Sequence, residues 1–231
     1  MAVVPIVAGL SYRQGIFRFA YPSRAEFPVR GIDVSHHQGR IDWTRVAQNE
    51  TRFVYIKASE GGDWLDPLYT ANIVGPQATN MRVGAYHFFT LCSPGNLQAR
   101  NFQAVATTAH DLPPAIDLEY VGNCAARPSR QEFEKELGDF IRIVRAELGA
   151  EPILYTMEDF FSDYLEGGRF SSAPLWVRDI FFGMSWPPSA EHVLFRQFAN
   201  NGRVVGIAGP VDLNHFIGSP EAFERAFPRR Q

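Results

Sequence analysis

Short runs of apolar, β-branched and aromatic residues recur along the chain, and amphipathic stretches separate most of them. Runs of this length, bounded by Gly, Pro or polar residues, are typical of buried strands. Their alternation with helix-like stretches predicts repeated β-α units around a largely parallel sheet. Eight strands are predicted, which is the number in a β/α barrel. They cover residues 30–35, 53–59, 82–89, 113–120, 152–156, 174–180, 193–199 and 211–216.

Helices are predicted in the gaps between the earlier strands. The clearest spans 129–149, where apolar residues recur about every 3.6 positions, Ser129 is the predicted N-cap and Gly149 ends the helix. After residue 170 the gaps are too short for helices, so loops or hairpins are expected to join the last strands. The other predicted helices cover 42–48, 66–79, 95–109 and 157–165.

The chain has 231 residues, of which 45% are hydrophobic and 13% aromatic, enough for one globular domain over residues 30–231. Residues 1–29 are interpreted as an N-terminal extension. Its apolar start of about nine residues is shorter than the roughly 20 that span a bilayer, and no basic residue precedes it as in a signal peptide. It is either the remnant of an export or anchor segment or an extension packed on the domain. The net charge of −3 argues against a nucleic-acid binder.

Acidic residues stand near the ends of three predicted strands. Asp117 and Glu119 belong to LPPAIDLEY, Asp33 to GIDVS and Asp212 to VDLNHF. Residues i and i+2 of a strand point to the same face, so Asp117 and Glu119 project together. Since β/α-barrel enzymes build their sites at the C-terminal ends of the strands, we expect all four carboxyls to converge at one mouth.

Such an acidic cluster is typical of a functional site, because like charges held close together raise one another's pKa and cost folding energy. Glycoside hydrolysis uses this arrangement. One protonated acid donates its proton to the leaving oxygen, and a carboxylate stabilises the oxocarbenium-like transition state or activates a nucleophile. Glu119 is the predicted general acid, because partial burial and a neighbouring carboxylate raise its pKa. Asp117 is predicted to stay ionised beside it.

Eight segments in order along residues 30–218 carry a family resemblance. They are GIDVSHHQGRIDW (31–43), YIKASEG (55–61), GAYHFF (84–89), DLEY (117–120), PILYT (152–156), PLWV (174–177), FRQFA (195–199) and GPVDLNHFIG (209–218). Together they resemble the glycoside hydrolase family 25 lysozymes, the N-acetylmuramidases.

The resemblance implies an α/β fold, an irregular flattened TIM-like β/α barrel with about five β-α units followed by strands without helices. It also implies cleavage of the β-1,4 bond between N-acetylmuramic acid and N-acetylglucosamine in peptidoglycan, without a cofactor. Glu119 resembles the family's proton donor and Asp117 its partner, while Asp33 and Asp212 resemble the flanking aspartates. Three roles for Asp117 stay open: orienting the substrate's N-acetyl group, stabilising the charged intermediate, or acting as the nucleophile.

Aromatic residues at predicted strand ends are candidates for sugar binding. Tyr86, Tyr155 and Trp176 are predicted to stack on sugar rings, although such positions also serve core packing. Gln197 is predicted to hydrogen-bond an acetamido group.

Lys57 and His87 complete the predicted substrate-binding set. Lys57 either pairs with an acid of the cluster or holds the SEG loop, and His87 is expected to form a wall of the site. No His-x-His pair begins a strand and no His-Glu-x-x-His helix occurs, so no metal site is predicted. Three further histidines accompany the motifs: His36, His37 and His215.

The segment PLWVRDIFF departs from the family pattern, in which a tyrosine commonly follows the tryptophan strand. Arg178 and Asp179 occupy that region here, with Phe181 and Phe182 beyond them. The departure affects one subsite and leaves the acidic cluster untouched.

Cys92 and Cys124 each follow a predicted strand by a few residues, so both are expected on loops at the mouth of the barrel. A disulfide between them would stiffen the rim and indicate an oxidising compartment. Two free thiols are the alternative.

Two other functions stay open at this stage: a noncatalytic glycan-binding module, and a chitinase-like hydrolase with an Asp-x-Glu pair on a barrel strand. The four acids favour an enzyme, because a binding module has little need of clustered carboxyls. The expected partner is the glycan strand of peptidoglycan, with no nucleic acid and no protein partner, and a monomer is the default expectation. This substrate predicts a secreted, periplasmic or envelope-associated protein.

Overall fold

The structure, a computed structural model, describes residues 21–106, 110–180 and 191–229. Eight strands close into a barrel because the first strand pairs with both the second and the last, and a two-residue strand extends the sheet beside the second. In chain order the strands are β1 (Arg30–Val34), β2 (Thr51–Glu60), β3 (Trp64–Leu65), β4 (Arg82–Phe88), β5 (Ala115–Leu118), β6 (Ile153–Thr156), β7 (Leu175–Arg178), β8 (Val193–Gly202) and β9 (Val211–Phe216).

Most neighbouring strands of the barrel run parallel, as the sequence pattern predicts. β1, β2 and β4 to β8 form successive parallel pairs, whereas β9 runs antiparallel to both β8 and β1. β2 is buried along nearly all its length, because the barrel interior covers one face and helices cover the other. The fold is therefore an α/β, TIM-like barrel with an antiparallel closure.

Five helices follow the strands as expected of β-α units, and a sixth, α6, is absent from the sequence prediction. The predicted helix over 95–109 ends at Gln103, and its residues 107–109 lie outside the described ranges. The helices are α1 (Trp43–Gln48), α2 (Tyr69–Gln77), α3 (Gly95–Gln103), α4 (Arg130–Leu148), α5 (Glu158–Phe160, continued by a π-helical turn over Phe161–Leu165) and α6 (Pro220–Ala226).

α4 is the longest helix and forms for the reasons seen in its sequence. The Ser129 side chain accepts a hydrogen bond from the backbone of Glu132, whose carboxylate bonds back to the Ser129 backbone, a complete capping box. Gly149 ends the helix in the left-handed conformation with φ 65°. The whole predicted apolar stripe is buried against the barrel: Phe133, Leu137, Phe140, Ile141, Val144 and Leu148.

Aromatic side chains fill one end of the barrel interior, and α6 closes that end. Phe223 of α6 packs against Phe53 and Phe216, which point inward from β2 and β9. Gly31 makes room for this packing, because a Cβ at that position would collide with the Phe53 ring. The described part of the chain contains no helix long and apolar enough to cross a membrane.

The predicted N-terminal extension is described only from residue 21 onward, and residues 1–20 lie outside the described ranges. Residues 21–29 pack on the outer face of β8 and β9. Tyr21 contacts Phe198 edge to face, and Phe27 stacks on His215 with ring centroids 4.1 Å apart. This part of the extension therefore covers strands that have no helix of their own.

Candidate active site

An open cleft of about 370 Å³ lies at the end of the barrel opposite α6, where the parallel strands finish. Its walls consist mainly of polar side chains that point inward from the strand ends. Residues two apart on one strand share a face, so every second residue of a strand points into the barrel. These inward residues are aromatic at the end covered by α6 and polar at the end that forms the cleft. Eight of the ten predicted site residues line the cleft: Asp33, Lys57, Tyr86, Asp117, Glu119, Tyr155, Gln197 and Asp212.

The structure brings the four predicted acids together on the wall of this cleft. Asp33 and Asp212 are directly opposite each other in the antiparallel pair of β1 and β9. Asp117 lies near the end of β5, and Glu119 follows in the loop just after it. Asp212 reaches the same mouth from the start of its strand because β9 runs in the reverse direction.

Asp33 is held by two buried amides. Its Oδ2 accepts hydrogen bonds from Nδ2 of Asn214 at 2.7 Å and Nε2 of Gln197 at 3.1 Å. Trp176 Nε1 donates to Oδ1 of Asn214 at 2.8 Å, and the Tyr155 hydroxyl donates to Oε1 of Gln197 at 3.0 Å. Because both amide oxygens accept bonds elsewhere, both amide NH₂ groups face the carboxyl. Asp33 is therefore fixed in position by donors that favour its ionised form.

Asp33 and Asp212 form a carboxyl pair in which both pKa values are raised. Burial raises the pKa of both carboxyls, and the charge of Asp33 raises that of Asp212 further. The hydrogen bond between them, together with the amide donors on Asp33, lowers the pKa of Asp33 and raises that of Asp212. The pKa of Asp212 is therefore raised further than that of Asp33.

Asp117 and Glu119 also have raised pKa values. Burial, with further contributions from nearby carboxylates including Asp33, raises the pKa of Glu119 to about 7. Burial and the Glu119 carboxylate raise the pKa of Asp117 well above its ordinary value, and its buried Oδ1 has no hydrogen-bond partner among the described residues. This direction opposes ionisation of the half-buried Asp117, whose expected ionised state beside Glu119 stays a prediction.

Two cations, Lys57 and Arg178, face the acids. Lys57 Nζ bonds the Glu60 carboxylate at 2.7 Å and lies over the Phe88 ring, so it holds the SEG loop as one of its two predicted roles requires. Its charge also lowers the pKa of Asp117 and Glu119, but its ion pair is with Glu60 and not with an acid of the cluster, as the other predicted role required. Arg178 lines the cleft at the end of β7 and lowers the pKa of Glu119 in the same way.

His87 and Trp176 do not reach the cleft, and both expectations are corrected. His87 follows Tyr86 directly on β4, so it points outward, where it bonds Ser59 and Gln98 between the barrel and the helices. Burial lowers its pKa to about 3, so it stays neutral. Trp176 points inward but lies one layer below Arg178, and it is 2% exposed. It contributes by orienting Asn214, not by stacking on sugar.

A disulfide between Cys92 and Cys124 joins two loops at the mouth of the barrel, with the Cα atoms 6.2 Å apart. Asn123 supports the same connection. Its Nδ2 donates to the backbone oxygens of Phe89 and Glu119, and its Oδ1 accepts from the backbone N–H of Leu91. The loop that follows Glu119 is thus fastened to the loop after β4.

Three residues of the site are missing from the sequence prediction as functional groups. Arg178 and Asn214 lie two residues beyond Trp176 and Asp212 on the same inward faces, so strand parity was the signal that identifies them. Asn123 carries no such signal, because it lies in an irregular loop. Among the described residues no group of His, Cys, Asp and Glu side chains is arranged to hold a metal ion.

This arrangement suits acid catalysis at a glycosidic bond. It combines an acid whose pKa is close to neutral, a second carboxyl beside it, and a further carboxyl pair within one cleft open to solvent.

The family model for "Glycosyl hydrolases family 25" matches residues 32–207 of this chain. Lysozyme M1 of Streptomyces globisporus is 32% identical over 203 residues, covering 83% of this chain and 68% of the relative. YegX of Escherichia coli K12 is 34% identical over 218 residues, covering 89% of this chain and 76% of the relative.

Solved structures show the same similarity. A family 25 glycosyl hydrolase from Bacillus anthracis superposes with a TM-score of 0.80 at 30% identity, covering 90% of this chain and 97% of that one. A bacterial lysozyme from Streptomyces coelicolor gives a TM-score of 0.75 at 30% identity, with coverage of 84% and 94%. With the family model spanning most of the barrel, these matches show that this chain belongs to glycosyl hydrolase family 25 and is a glycosidase of the lysozyme type.

Proposed function

We propose that this protein hydrolyses the β-1,4 bond between N-acetylmuramic acid and N-acetylglucosamine in peptidoglycan, with Glu119 as the general acid and Asp117 as its partner. The observation that carries the proposal is the raised pKa of Glu119, about 7, in a cleft that also holds three aspartates. The lysozymes among the relatives support the choice of polymer.

In this scheme the Asp117–Glu119 pair holds one proton near neutral pH, and Glu119 carries it because burial raises its pKa to about 7. Glu119, in the loop beyond β5, delivers this proton to the leaving oxygen. As the bond breaks, positive charge develops on the sugar ring and favours the ionised form of Asp117 beside it. Asp117 then stabilises the charge without leaving its enclosed position.

The Asp33–Asp212 pair has a binding role in this scheme. Asp33 is fixed by Asn214 and Gln197, and the raised pKa of Asp212 favours a protonated carboxyl that donates a hydrogen bond to sugar hydroxyl or acetamido oxygens. Tyr86 lies on the same wall and offers an aromatic surface to a sugar ring. We place the protein at the cell envelope or outside the cell, where its substrate lies and where a disulfide persists.

The test compares purified peptidoglycan with chitin oligomers as substrates for the wild-type protein, Glu119→Gln and a control, Glu147→Gln, which changes an exposed acid on the outer helix α4. We expect the wild type and the control to release soluble muropeptides equally. Glu119→Gln should lose roughly 10²- to 10⁴-fold of this rate while still binding the polymer. Binding by the wild type without release would leave a glycan-binding module, and cleavage of chitin oligomers alone would indicate a chitinase-like enzyme.

A further inference from the structure

Arg178 is placed in the cleft by strand parity. It ends β7, two residues beyond the inward-facing Trp176, and its half-buried side chain lines the cleft that holds Asp33, Glu119 and Asp212. It is near enough to these carboxyls to lower the pKa of each. Any sugar that occupies the cleft beside Glu119 therefore lies within the field of this guanidinium.

The guanidinium of Arg178 has no carboxylate partner among the described residues. Its one hydrogen bond there runs from Nη1 to Sδ of Met157 at 3.2 Å, and thioether sulfur is a weak acceptor. Lys57, the other strong cation on the wall, is already paired with Glu60 at 2.7 Å. Arg178 thus keeps most of its five N–H donors for a ligand.

We propose that Arg178 recognises a carboxylate carried on the 3-O-lactyl substituent of the muramic sugar, and so determines the preference of the cleft for muramic over purely N-acetylglucosamine polymers. The inference rests on the proposed function. The shared chemistry is a carboxylate near the reacting sugar, supplied either by the free lactyl group of peptide-stripped strands or by the stem peptide of intact peptidoglycan.

The charge pattern of the cleft favours this ligand. Lys57 is paired with Glu60, so on the described wall of the cleft Arg178 is the strong cation left for an anionic substituent, which favours one orientation of the sugar. A planar guanidinium binds a carboxylate through two parallel hydrogen bonds, which adds geometric selection to the charge. A neutral sugar polymer would leave the same guanidinium desolvated and without an anionic partner.

A simpler role for Arg178 is to offset the negative charge of the acids. That role affects every substrate alike: removing the cation would raise the pKa of Glu119 and shift the pH profile, with no change in preference between charged and neutral substrates. Substrate preference and pH profile therefore separate the two roles.

The experiment uses peptide-stripped glycan strands with free lactyl carboxylates, the same strands after conversion of those carboxylates to neutral methylamides, and intact peptidoglycan. The variants are Arg178→Gln, the charge-conserving Arg178→Lys, and Arg52→Gln as a control at an exposed position on β2. We measure kcat and KM for each substrate over a range of pH. Dissociation constants are measured in a Glu119→Gln background, which makes binding independent of turnover.

We expect the wild type and Arg52→Gln to prefer the carboxylate strands over the methylamide strands by about 10- to 100-fold, mainly through KM. Arg178→Gln should abolish this preference, and Arg178→Lys should restore part of it. A loss confined to stripped strands identifies the lactyl carboxylate, whereas an equal loss on intact peptidoglycan identifies the stem peptide.

Equal losses by Arg178→Gln on carboxylate and methylamide strands, or an unchanged preference with a shifted pH profile, would overturn the inference and leave charge compensation. The failure of the proposed function looks different: the wild type would then release no muramic reducing ends from any of the three substrates. In that case the dissociation constants still decide whether Arg178 distinguishes charged from neutral strands.

Discussion

Glu119 shows how burial prepares one side chain for catalysis. Desolvation is the largest cause of its raised pKa, and Arg178 and Lys57 partly oppose it, so that the value comes to about 7. A carboxyl with an ordinary pKa would be ionised at neutral pH and could not donate a proton. The neighbouring cations keep the acid from becoming so weak that it no longer gives the proton up.

This balance predicts the alkaline limb of the pH profile. We expect kcat/KM on peptidoglycan to fall about tenfold per pH unit above pH 7, because the fraction of protonated Glu119 falls in that proportion. Rates measured from pH 5 to pH 9 at constant ionic strength provide the check. A rate that stays constant to pH 9 would show that a group other than Glu119 supplies the proton.

The residue scale is also where sequence reasoning was least complete. The four acids could be identified from the strand pattern, but the location of their protons could not. The pKa of Asp117 depends on enclosure, and that of Asp33 depends on amides supplied by β8 and β9. These contacts join residues far apart in the chain, so no local pattern contains them.

At the scale of elements, the loop after β5 positions the general acid. Asn123 donates to the backbone oxygen of Glu119 at 3.0 Å, and the adjacent Cys124 is bridged to Cys92. Glu119 therefore lies between the short strand β5 and a loop segment that is held in place at Asn123 and Cys124. We infer that the disulfide limits the positions available to Glu119.

The double variant Cys92→Ser/Cys124→Ser tests this role. The bridged cysteines are 32 residues apart in sequence, and a disulfide that closes a loop of this length stabilises a protein by about 3–4 kcal/mol. The free energy of unfolding of the variant should therefore be lower by about that amount. Its kcat should also fall several-fold at temperatures where it is folded. Ser219→Ala serves as the control, because loss of the N-cap of α6 costs about 1 kcal/mol at the opposite end of the barrel. Unchanged kcat in the cysteine variant would assign the bridge to stability alone.

Strand parity explains both the successes and the errors of prediction at this scale. The alternation that places Tyr86 inward also places His87 outward. Trp176 and Arg178 share the inward face, and only Arg178, at the end of β7, is far enough along the strand to line the cleft. α6 was missed although Ser219 and Pro220 form a start signal, since the helix follows the last predicted strand. The role of its Phe223 depends on contact with Phe53 at the end of the barrel, which the sequence around α6 does not indicate.

At the scale of the whole molecule, the barrel holds four carboxyl groups with raised pKa values in one cleft, and their ionisation at higher pH costs folding stability. The folded pKa of Glu119, about 7, exceeds the ordinary value of 4.5, so the folded state binds more protons than the unfolded state between these values. The pKa values of the three aspartates are raised as well. Stability from these groups is therefore fully present at low pH and is lost as the pH rises through the folded pKa values.

The same linkage predicts a stabilised but inactive variant. Glu119→Gln should increase the free energy of unfolding by about 2–3 kcal/mol more at pH 8 than at pH 5, because the amide cannot ionise. Denaturant unfolding of both proteins at the two pH values measures this difference. Equal stabilities at pH 8 would mean that Glu119 is not held in a desolvated position.

The identity of the reducing end released from purified peptidoglycan tests the central claim most directly. Borohydride reduction after digestion converts each new reducing end to its sugar alcohol, so the two possible ends are distinguished by composition. We predict new N-acetylmuramic acid ends from the wild type and from Glu147→Gln, and none above background from Glu119→Gln. New N-acetylglucosamine ends, or muramic ends that persist in Glu119→Gln, would contradict the account.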